Sequence, residues 1–217
     1  MKLHRILLHM TTFSVAVLAL ASASVRAAHA APVPGGMPIF GSVDIQKLQT
    51  QSTKKTKYDA DLHALADRLD TAFKLQAASV MLSKANQTEL GILLSEANPT
   101  TADQAHIAAL QAQSTKDAQA LQDLQQKKEP TPADTSTLDT LTTQYKAGQQ
   151  ALQDIGDGYQ AQLKALSDKD NTEFTQAVRD AISAVAQQKG LSVVFTSDIA
   201  VYTTNDITDD VVKRLNK

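Results

Sequence analysis

The chain has 217 residues, with 21 Lys and Arg against 23 Asp and Glu, a formal net charge of −2 and no cysteine. Lacking a basic surplus, it does not read as a general nucleic-acid binder, and without thiols it has neither disulfides nor a lipidated N-terminal cysteine. Aromatics make up only 4% and Trp is absent, so an elongated helical protein is expected rather than a thick globular core.

Lys2, His4 and Arg5 precede an apolar run from Ile6 to about Val25, and Ala28-His29-Ala30 then supplies the small residues that a signal peptidase reads. Residues 1–30 are therefore expected to be an export signal, cleaved after Ala30. An uncleaved anchor is disfavoured because His9, Thr11, Thr12 and Ser14 interrupt the run. The remaining 187 residues carry 18 Lys and Arg against 23 Asp and Glu, a net of −5. Residues 31–38 (APVPGGMP) hold three of the six prolines and read as a flexible leader. Ile39 to Ile45 alternates apolar and polar positions and predicts a first strand, too short to stand alone.

From residue 46 to 189 the spacing turns helical. Tyr58, Leu62, Leu65, Leu69 and Ala72 lie three or four apart, as do Leu138, Leu141, Tyr145, Gly148, Leu152, Ile155, Tyr159, Leu163 and Leu166. Such narrow stripes are coiled-coil seams that need a partner helix. Breaks are expected near 98–100 and 129–132, at Pro99 and at Pro130 and Pro132. One layout turns the hairpin near Ser114-Thr115, so that the prolines form a paired elbow; this is the preferred one. The rival puts corners at Pro99 and Pro130 with a separate helix between them. Gly148 sits on the seam, either as a bend or as a close helix–helix approach.

Residues 190–217 form a different kind of segment. Gly190 is a good helix stop, Leu191–Phe195 and Ile199–Tyr202 predict two short strands around Thr196-Ser197-Asp198, and Thr208 is placed to cap a last helix. A helical hairpin returns the chain to its start, so the terminal strands are expected to meet in one small sheet. Such a sheet has open edges and almost no core, which predicts completion by further subunits. Val43, Ile45, Val193, Phe195, Val201 and Tyr202 are the residues expected to build this oligomeric body. The fold class is thus mainly α with a small β body, a long antiparallel helical hairpin joining N- and C-terminal strands that form one small sheet shared between subunits.

No catalytic constellation is present. His63 and His106 lack neighbouring ligands, the pairs Asp59-Asp61 and Asp67-Asp70 read as exposed helix charge, and there is no GxSxG, phosphate loop or GxGxxG. No catalytic residue, metal or cofactor is expected. The Lys54, Lys55, Lys57 group and Lys127-Lys128 read as solvated faces, and contact with a membrane surface has no support in the sequence.

At Gly41-Ser42-Val43-Asp44-Ile45-Gln46-Lys47-Leu48, and again at Ala200-Val201-Tyr202 followed by Asp206-Ile207-Thr208-Asp209-Asp210-Val211, the sequence resembles the Skp (OmpH-like) family of periplasmic chaperones. The resemblance implies a homotrimer with a small central barrel and helical tentacles, enclosing a cavity that holds unfolded outer-membrane proteins without ATP. Members known for this activity are basic, whereas residues 46–189 here carry 15 Lys and Arg against 18 Asp and Glu. The expected function is a periplasmic holdase; the alternative is a coiled-coil spacer or scaffold of the envelope without unfolded clients.

Overall fold

The computed structural model describes residues 37–217 except Ala97 and Val201; the expected export signal and residues 31–36 of the leader lie outside the described residues. The described residues are mainly helical (76%), so most of the backbone satisfies its own hydrogen bonds and the strands are confined to one place. In order they are β1 (Phe40–Val43), α1 (Ile45–Gln51), α2 (Thr53–Ala78), α3 (Lys84–Ser95), α4 (Thr101–Gln126), α5 (Pro132–Gln188), β2 (Val193–Thr196) and α6 (Thr208–Leu215). The chain divides into two compact units. Unit 1 comprises the chain up to Tyr58 together with Asp170–Lys217, and unit 2 comprises Asp59–Lys169.

Unit 1 is built round an apolar core. Phe174, Val178, Ala181 and Val185 recur on one face of α5 and meet Val43, Leu48, Ile207 and Val211. Each Val, Leu, Ile or Phe among them contributes about 1.5–3 kcal/mol when fully buried. β1 and β2 pair in parallel, with Phe40 opposite Val193 and Val43 opposite Thr196. On its other edge β1 bonds to the segment before α6: Ser42 N–H donates to Asn205 O and Ile207 N–H donates to Ser42 O, both at 2.9 Å. Asn216 bridges the break between α1 and α2, accepting from Thr53 N–H at 2.8 Å and donating to Gln51 O at 3.0 Å. The Tyr58 hydroxyl donates to Glu173 at 2.9 Å, and burial with that carboxylate pushes its pKa up to about 12. At the end of α5, Gly190 adopts φ 67° while Gly190 N–H bonds to Gln187 O and Leu191 N–H to Ala186 O. Those two bonds form a Schellman stop, which a side chain at this φ would strain.

Unit 2 is organised by its helix breaks. Thr100 and Asp103 cap α4 reciprocally, and Thr131 and Asp134 do the same for α5, with Pro132 as the first helical residue and so losing no hydrogen bond. Lys127 donates to Asp134 at 2.6 Å and, with the Thr131 bonds, holds that carboxyl well below the usual range. Gln76 of α2 contacts Tyr159 of α5, and in the turn that follows α2 Val80 lies against Gly148 and Met81 O accepts from Gln144. A Cβ at Gly148 would overlap the Val80 carbonyl, which makes this glycine a close approach of the turn after α2 to α5 rather than a bend. α3 packs back onto α2 and α4. Leu82, Leu90 and Leu110 are buried together with Leu93, Leu94 and Ile107 against them, while the Gln76 amide donates to Gln87 O and the Gln87 amide to Ser79 O.

Four expectations are corrected. Ser114-Thr115 is not a turn: α4 runs through it, and buried Ser114 accepts from Met81 N–H at 3.2 Å. No Gly or Pro interrupts the helix there, whereas both proline sites carry capping boxes. The first strand stops at Val43 because Asp44 caps α1 by accepting from Lys47 N–H at 2.9 Å; Ile45 is thus the first residue of a helix, packed against the core. Ile199–Tyr202 forms no strand among the described residues, since the free edge of β1 is taken by a bridge from Ser42 to Asp206. Thr208 is not the cap but the first residue of α6. Its buried hydroxyl accepts from Asp44 N–H at 2.9 Å, and Asp206 accepts from Thr208 N–H.

Candidate functional site

A parallel pair places partner residues on the same face of the sheet. In unit 1, Val43 and Val194 face the core, while Phe40, Val193 and Phe195 point away from it. The Phe40 and Phe195 rings lie 5.9 Å apart, tilted by 33°, within the centroid range of interacting aromatic pairs. Beside them a recess of about 620 Å³ is lined by Met37, Ile39, Phe40, Phe195, Ile199 and Tyr202 among others. Tyr202 is 84% exposed and Ile199 70%. Of the nine large apolar side chains exposed among the described residues, seven belong to this unit and only Ile92 and Tyr145 to unit 2. A contiguous apolar face of this kind marks an interaction surface.

The residues expected to build an oligomeric body therefore separate. Val193, Phe195 and Tyr202 share the exposed face, Val43 lies inside the unit at 2% exposure, Ile45 is partly buried in α1, and Val201 lies outside the described residues. Among the described residues no group of three His, Asp or Glu is close enough to hold a metal, and His106 lies 3.7 Å from Glu89. Lys54 sits over the Tyr58 ring at 5.8 Å, a cation–π arrangement within unit 1.

Charge is also divided unequally. The described part of unit 1 carries nine Lys and Arg against eight Asp and Glu, and unit 2 nine against 15, so the excess acid falls entirely on unit 2. Much of it is organised along the helices: the Gln113 amide donates to Asp117, Gln119 to Asp123 and Gln150 to Asp154, all four residues apart. Among the described residues no helix is long and apolar enough to cross a membrane.

The sequence model of the family described as Outer membrane protein (OmpH-like) matches residues 39–215, spanning both units. The chain belongs to the OmpH-like family. Members of that family are periplasmic chaperones, not enzymes; they bind unfolded outer-membrane proteins and form oligomers. No curated protein and no solved structure matches this OmpH-like chain with significance. What sequence reasoning missed in it is the polar interior of unit 2. Gln76, Gln87 and Ser114 are each 1% exposed, yet sit among many similar residues that face water. The one local signal was Ser83, which caps α3 by accepting from Asn86 N–H and so announces a helix start after residue 78.

Proposed function

We propose that this OmpH-like chain is a periplasmic, ATP-independent holdase that binds unfolded outer-membrane proteins in a cavity between helical arms. In this reading unit 1 is the body of a homotrimer whose strands form a small shared barrel, and residues 59–169 belong to an antiparallel hairpin arm. The first 30 residues are the export signal. The observation that carries it is the apolar face of Phe40, Val193, Phe195 and Tyr202, which the chain leaves uncovered in a family of oligomeric chaperones. These four side chains are 47%, 41%, 38% and 84% exposed, so burying what remains of them between subunits is worth roughly 3–6 kcal/mol before the cost of association.

The deciding experiment is an aggregation assay with an unfolded outer-membrane β-barrel protein, run beside light scattering of the chaperone alone. A trimer that keeps the client soluble at stoichiometric amounts supports the reading. A stable monomer at micromolar concentration removes the shared body, and a trimer that neither binds nor protects the client removes the holdase. The second reading, a spacer or scaffold of the envelope, is favoured by one observation: among the described residues unit 2 exposes only two large apolar side chains.

A further inference from the structure

A holdase grips unfolded chains by apolar contact, and this chain keeps almost all of that surface out of water. Among the described residues, seven of the nine exposed large apolar side chains lie on unit 1, around the face proposed to be covered by neighbouring subunits. Unit 2 has leucines in quantity, but Leu82, Leu90, Leu93, Leu94, Ile107 and Leu110 are packed on one another where α3 lies against α4. We propose that α3 is a displaceable lid, and that an apolar segment of an unfolded client takes its place on α4. This inference rests on the holdase reading.

The lid is built to come away as a piece. α3 is a 12-residue helix that carries its own N-cap, Ser83, and whose Glu96 N–H bonds to Leu93 O, so its ends are closed without help from its neighbours. It is flanked by a break at 79–83 on one side and by the break at Pro99 on the other. Its seat is only half apolar. Gln87 is almost fully buried and reaches Ser79 O at 2.7 Å, yet its own Oε1 and the Ser79 hydroxyl find no hydrogen-bond partner among the described residues. A buried polar group left unpaired favours any state that returns it to water, so the same seat that holds α3 also penalises its closure. Glu89 of α3 lies 3.7 Å from His106 of α4, both about half exposed, a contact that holds weakly.

Displacement leaves Ile107 and Leu110 on α4 open, one helical turn apart, to an incoming segment that presents apolar residues as Leu90, Leu93 and Leu94 do. α3 then acts as a stand-in for the client, covering the sticky surface while none is bound. Because the closed state does not bind, apparent affinity is reduced by the fraction of chains that are closed.

The chain lacks cysteine, so a thiol lock is specific. Glu89→Cys with His106→Cys places two exposed thiols across the α3–α4 contact for a cleavable bifunctional crosslinker. With the lock closed, holding of an unfolded β-barrel client is expected to weaken roughly tenfold, and to recover on cleavage. Amides of α3 are expected to exchange with solvent roughly tenfold faster than those of Leu141–Ala151 in α5. Leu90→Ala, which loosens the lid, is expected to raise both binding of a hydrophobic dye and client holding. If the cleaved form holds the client and the locked form holds it equally well, the lid is wrong while the holdase stands. A chain that holds no client in either form loses the holdase reading and the occupant together, and α3 amides as slow as those of α5 overturn the lid whatever the client does.

Discussion

Around Leu48 the interior is made chiefly by Val43, Phe174, Val178, Val185, Ile207 and Val211, whereas around Met81 three leucines share the interior with Gln76, Gln87, Ser79 and Ser114. The first is closed by elements distant in sequence, tied by backbone bonds from β1 to β2 and to residues 205–207. The second is closed by helices that follow one another and bend at polar breaks. Apolar burial is non-directional and tolerates small shifts, while a polar interior is stable only if each donor and acceptor finds its partner. Unit 1 is therefore suited to be a permanent body, and unit 2 to change its packing.

The largest test of this contrast is truncation of a buried leucine on each side. Leu48→Ala is expected to cost about 2–5 kcal/mol, as a cavity in a core that cannot relax. Leu90→Ala is expected to fall at the low end of that range, because α3 can move away from the hole. Urea unfolding followed by helix content measures both, and equal losses would erase the distinction.

A smaller effect is expected from Gly148→Ala. Helix propensity alone favours the change by about 1 kcal/mol. The added Cβ overlaps the Val80 carbonyl, however, so the net outcome is destabilisation by about 1–3 kcal/mol, read as a lower melting temperature. A more stable variant would show that Val80 and α5 do not approach closely there.

Acid should produce the smallest change. The Thr208 side-chain and backbone bonds hold Asp206 below the ordinary carboxylate range, and the Lys189 pair does the same for Asp210. A carboxyl whose pKa is lower folded than unfolded stabilises fully above the unfolded value, near 4, and loses that contribution as pH falls through the folded value. Stability is thus expected to be flat between about pH 7 and 5 and to drop below about pH 4. Asp206→Asn should shrink the acid-induced drop in the urea midpoint; an unchanged drop removes Asp206 from the account.

Signals that act within a few residues were legible. Pro99 and Pro132 lie where helices stop and start, Gly190 ends α5, and the stripe from Leu138 to Leu166 runs along one helix. The exposed face was legible in part, through the apolar runs that contain Val193, Phe195 and Tyr202. The Asp44 cap that makes Ile45 helical acts from three residues away and was passed over, whereas the role of Thr208 was not legible, because its hydroxyl accepts from Asp44 N–H, 164 residues distant in the chain.

Composition, propensity and caps by themselves determined a mainly helical chain with proline-set breaks and short strands near its ends. Those signals act through backbone sterics and bonds three or four residues apart, so each is complete in a short window. Only the tertiary structure decided that residues 205–207 rather than 199–202 flank β1, that α4 passes straight through Ser114, and that α3 lies back against α2 and α4. Each of these is a choice among competing partners for the same edge or face. The winner is set by which distant groups bury apolar surface and pair their polar atoms together, and no local window contains that comparison.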